Sequence, residues 1–88
     1  MKNIIFILIL LFATLSIKAQ SSSEKLIREG VSLHDKGRYK EAISSYEEAL
    51  KVNPSSMSAV YEMSLSYLKL NNYERAVSLS SKVINANF

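Results

Sequence analysis

Few residues in this 88-residue chain could do chemistry, and their spacing argues against it. His34 is the single histidine and there is no cysteine. A zinc site needs several His, Cys or carboxylate ligands, so one imidazole assembles none. Glu41, Glu47 and Glu48 could be imagined as paired carboxylates, but they recur on the polar face of a helical pattern, where solvated acids are ordinary. The serines form no Gly-x-Ser-x-Gly elbow and have no histidine partner at a telling distance. Gly30 and Gly37 are the only glycines, too few for a phosphate-cradling loop. The five tyrosines fall at helical spacing, which points to packing and not to base stacking. No catalytic residue, cofactor or metal is expected, and the chain does not read as an enzyme.

Composition averages two unlike parts. Residues 1–19, MKNIIFILILLFATLSIKA, place Lys2 before an uncharged run from Ile4 to Leu15, and Ala19 offers a small residue for cleavage before Gln20. That is the layout of a secretory signal peptide. Its 12-residue run rises about 18 Å as a helix, short of a bilayer core of about 30 Å. An uncleaved anchor is the rival reading. Cleavage predicts an exported chain, periplasmic or extracellular. The full chain carries a net charge of +3. Losing Lys2 and Lys18 leaves nine basic against eight acidic residues, a net of +1. That is no electrostatic footprint for nucleic acid. Without cysteine the exported part must hold by packing alone, which is marginal at this size.

The elements that position these residues are helices. Residues 20–22 read as a polar joint, with Ser21 and Glu24 at capping-box spacing. Four helices are predicted, over about 23–36, 39–52, 56–70 and 73–86. Gly37 and Asn71 suit left-handed helix ends, and Pro54 stops the second helix. Tyr39, Ala42, Ile43, Tyr46, Ala49 and Leu50 form one helix face. Adding 34 to these numbers gives Tyr73, Ala76, Val77, Ser80, Val83 and Ile84. Leu26 maps onto Val60 and Leu33 onto Tyr67. A helix–turn–helix repeated at 34 residues is the mark of a tetratricopeptide array.

The chain resembles the tetratricopeptide repeat family over residues 23–88, with repeats at 23–56 and 57–88. The first repeat carries Gly30, Tyr39, Ala42, Tyr46, Ala49 and Pro54 in the family's order. The second keeps Tyr67, Tyr73 and Ala76, with Ser64 as its small residue. It departs at Ser80, Val83 and Phe88, and Glu29 stands where a leucine is usual. The resemblance implies an all-α solenoid of about four antiparallel helices, in which the small residues let helices approach and the tyrosines fill the space between them. It also implies a concave face for a protein or peptide partner, lined here by Ile27, Val31, His34, Tyr61, Leu65 and Leu68. Ile27 and Val31 stand where one subgroup grips a terminal carboxylate, and neither can. A hydrophobic or helical partner segment suits this face better. The competing reading is that these residues pack against a further helix.

Solenoid repeats hide their apolar faces against neighbours, and two are few. Val77, Val83 and Ile84 are expected to face a missing neighbour. A longer reading frame, self-association through this open end, or a barely stable monomer would each follow. The expected role is a non-catalytic scaffold for protein–protein contact. The alternatives are the repeat region of a longer membrane signalling protein, or of an exported enzyme with its catalytic domain beyond Phe88.

Overall fold

A computed structural model describes the backbone of residues 2–86 and the side chains of residues 17–85. Phe88 and the side chains of the apolar leader lie outside these. Four helices make up the described chain: α1 (Lys2–Asp35), α2 (Tyr39–Val52), α3 (Met57–Lys69) and α4 (Tyr73–Ala86). Consecutive helices pack on one another, and α1 also touches α3. The all-α helical repeat is therefore present, with no strand among the described residues.

The two interhelical turns within repeats are built alike. Gly37 takes φ +79° and Asn71 φ 61°. Arg38 N–H donates to the Leu33 carbonyl at 2.9 Å, and Asn72 N–H to the Tyr67 carbonyl at 3.0 Å, 34 residues on. Gly37 N–H reaches His34 O, and Asn71 N–H reaches Leu68 O. These paired bonds are the Schellman closure of a helix end. Between repeats, Asn53 Oδ1 accepts from Ser55 N–H, and the Ser56 hydroxyl caps α3 by accepting from Ala59 N–H at 3.2 Å. Pro54 sits exposed in this bend.

One expectation changes. Helix α1 does not start at a Ser21 cap but runs unbroken from Lys2 to Asp35. Serine costs a helix only a few tenths of a kcal/mol, and no glycine or proline precedes Gly30 to stop propagation. Ser23 also faces inward: it is buried, and its hydroxyl donates to the Ala49 carbonyl at 3.2 Å. The Ser21–Glu24 spacing is therefore internal to a helix.

The core gathers Ile27, Ala42, Ile43, Tyr46, Ala49, Ala59 and Met63, with Leu26, Val31, Leu33, Leu50, Tyr67 and Leu79 packed around it. Ala42, Tyr46 and Ala49 are wholly buried. A Cβ on Gly30 would sit 2.3 Å from Tyr46 Cε1. The glycine is thus the space the tyrosine ring occupies.

Candidate partner-binding surface

The six residues expected to line a groove separate into two groups. Ile27 is buried in the core, and Val31 is packed against it. Ile27 thus belongs to the fold and not to an open groove, and Val31 is half-buried beside it. His34 is not a plain surface histidine. Its Nδ1 lies 2.8 Å from Ser66 Oγ, tying α1 to α3, and its ring meets Tyr39 edge-on at 4.9 Å.

Beside this pair lies Tyr46. Its Oη is buried with no hydrogen-bond partner among the described residues. Burial pushes the phenol up to about 12, and the negative charges of Glu62 and Asp35 add to the rise. Ser66, already engaged by His34, partly offsets it. The phenol stays neutral across the physiological range and serves as filling. It offers no base.

The second group stays open. Tyr61 and Leu68 are exposed, and Leu65 is half-buried. Leu65 and Leu68 border a shallow depression with Ala76, Val77, Ser80 and Ile84. None of its lining residues is charged. Val77 and Ile84 are among the most exposed large apolar side chains, at 65% and 57%. The sequence points to Val77, Val83 and Ile84 as an unpartnered end, of which Val83 is half-buried and the other two exposed, and to Leu65 and Leu68 as groove. It does not join them, because only the packing of α4 beside α3 sets them side by side.

The remaining repeat residues have structural places. Tyr67 is half-buried on the core with the Arg75 guanidinium 5.7 Å above its ring. Ala76 is buried between α3 and α4, while Tyr73 is exposed, its hydroxyl donating to Asn71 Oδ1. Asn72 Oδ1 caps α4 by accepting from Arg75 N–H. Arg38 makes no cap bond and instead donates from Nε and Nη2 to the two carboxylate oxygens of Glu41. That pair is solvent-exposed and contributes little to stability. No group of three metal-ligating side chains exists among the described residues.

Known proteins place this architecture. A "TPR repeat" model matches residues 30–71, and a "Tetratricopeptide repeat" model matches residues 58–88. The chain is 32% identical to Sperm-associated antigen 1 of Rattus norvegicus over 82 residues, 85% of this chain and 9% of that protein. It is 38% identical to Sperm-associated antigen 1 of Mus musculus over 61 residues, 69% of this chain and 7% of that protein. It thus spans under a tenth of the length of these curated relatives. No solved structure matches it. The 34-residue helical duplication, the Gly30–Tyr46 contact and two repeat models that together span residues 30–88 give one assignment: the chain belongs to the tetratricopeptide repeat family.

Proposed function

We propose that this chain is an exported, non-catalytic scaffold that holds a protein partner on the α3–α4 face. The observation that carries the reading is the uncharged apolar depression around Leu65, Leu68, Val77 and Ile84. Contiguous exposed apolar surface on a soluble repeat marks a site of association. In-cell crosslinking tests it. A photoreactive residue at position 77 should give a protein adduct, and one at position 44, exposed on α2, should not. A blank result at 77 would sink the reading.

Export rests on the leader pattern of residues 1–19. The N-terminal sequence of the protein recovered outside the cytoplasm should begin at Gln20. A second reading, a membrane-tethered scaffold, draws on the unbroken α1, which would rise about 51 Å over its 34 residues if left uncut. Among the described residues no helix is long and apolar enough to cross a membrane. Retention of Met1 in the membrane fraction would favour the tether.

A further inference from the structure

The chain carries two copies of one surface, and among the described residues only one copy is covered. On α2, Tyr39, Ile43, Tyr46 and Leu50 fall at 4-3-4 spacing, and α3 lies over them. Ile43 is 7% exposed and Tyr46 fully buried. The residues of α3 that join this core are Ala59, Met63 and Tyr67, an i, i+4, i+8 stripe. On α4 the matching residues are Tyr73, Val77, Ser80 and Ile84, and the three large ones stand open. The covered interface between α2 and α3 therefore continues, by its own 34-residue step, onto an uncovered one.

Two substitutions make the open copy a different receptor. Tyr46 becomes Ser80, so the ring that fills the covered copy is missing. Gly30 becomes Ser64, whose Cβ is tolerated because no ring lies against it; its hydroxyl donates to the Tyr61 carbonyl at 2.6 Å. In the covered copy, Ser66 of α3 is wholly buried, 2.8 Å from His34 Nδ1 and close to the Tyr46 hydroxyl. With no exposed surface left there, a small polar side chain suits the place between the imidazole and the phenol hydroxyl. Opposite Ser80, with no phenol to meet, that constraint is absent.

The other end of the fold excludes one occupant. Residues of α1 matching Ala59, Met63 and Ser66 are Lys25, Glu29 and Ser32, all exposed. Docking α1 of a second copy onto α4 would bury Lys25 and Glu29 against Val77 and Ile84, at the cost of desolvating both charges. Head-to-tail growth is thereby blocked. This also accounts for Glu29 at a position where a leucine is usual: it keeps the leading edge wet.

We propose that the α3–α4 face docks one amphipathic helix from a protein partner, lying along α4 as α3 lies along α2, with a small, a methionine-sized and an aromatic residue at four-residue steps and a bulky apolar residue at the place of Ser66. The proposal deepens the scaffold reading and rests on it. Peptides spanning residues 55–71 of this sequence supply the probe, titrated onto the purified full chain. The parent peptide should bind and crosslink to a photoreactive residue at position 77, not at position 43. The peptide with Ser66→Leu should bind about tenfold tighter, since burying a leucine side chain contributes that much or more. The peptide with Ala59→Lys and Met63→Glu should not bind. Equal affinity of the first two peptides, or binding of the charged one, overturns the proposal. So does the absence of any adduct at 77. Homodimers trapped at 77 that exclude peptide assign the face to a second copy and overturn it as well. An in-cell adduct at 77 alongside failed peptides keeps the scaffold and rejects this partner.

Discussion

Tyr46 organises its repeat through the space it fills. Its ring occupies the place of a Gly30 side chain, so the pair is one packing decision written in two helices. Gly30→Ala should destabilise by about 1–3 kcal/mol through overpacking, read from the urea midpoint. The same cost is expected for Ala42→Leu, since Ala42 is wholly buried. Tyr46→Phe should behave otherwise. It removes a buried hydroxyl with no partner, so stability should hold or rise by up to about 1 kcal/mol. A lower melting temperature would show that Oη is bonded in solution. The phenol also sets an alkaline limit. Its folded value, about 12, lies above the ordinary 10, so the folded state holds this proton more tightly than the unfolded one. The resulting stability is complete below pH 10 and drains away as pH rises from about 10 to about 12. Tyr46→Phe should flatten that part of a stability–pH profile.

Helix ends were the most legible feature of the sequence. Gly37 and Asn71 adopt the left-handed conformation expected of them, because a helix that must reverse needs positive φ at its end. The Ser56 cap was not singled out, although a serine after Asn53-Pro54 is a common helix start. Ser56→Ala should cost about 1 kcal/mol, whereas Arg38→Ala should leave thermal stability nearly unchanged, since Arg38 caps nothing. The start of α1 was misplaced. Local cap spacing competes with helix propagation, and with no breaker ahead of Gly30 propagation wins.

Across the described residues, α1 presents a polar edge after Gln20 and α4 an apolar one. Lys25 and Glu29 are exposed on α1, while Val77 and Ile84 are exposed on α4. Such an edge is where a solenoid either stops or recruits a neighbour. Val77→Glu should leave helicity and the melting curve of the isolated chain within about 0.5 kcal/mol, because the side chain is mostly in water. The same change should abolish crosslinking at neighbouring positions of α4. Loss of folding instead would mean that Val77 is packed in solution.

By itself the sequence determined the helical class, the 34-residue period, the turn residues and the small–large pairs of the core. All of these follow from local conformational preference and from the spacing of apolar residues along a helix. It also pointed to an unpartnered end at Val77, Val83 and Ile84, of which Val77 and Ile84 are exposed and Val83 is half-buried. The tertiary structure decided which apolar residues remained available. Ile27, Val31 and Leu65 share one pattern, yet Ile27 is buried in the core and Val31 packs against it, while Leu65 borders an open depression. Burial depends on what packs from elsewhere in the chain, and a residue's own position in a helix does not encode it. The same holds for Ser66, an unremarked serine in sequence. Only folding brings it 2.8 Å from His34 and beside Tyr46.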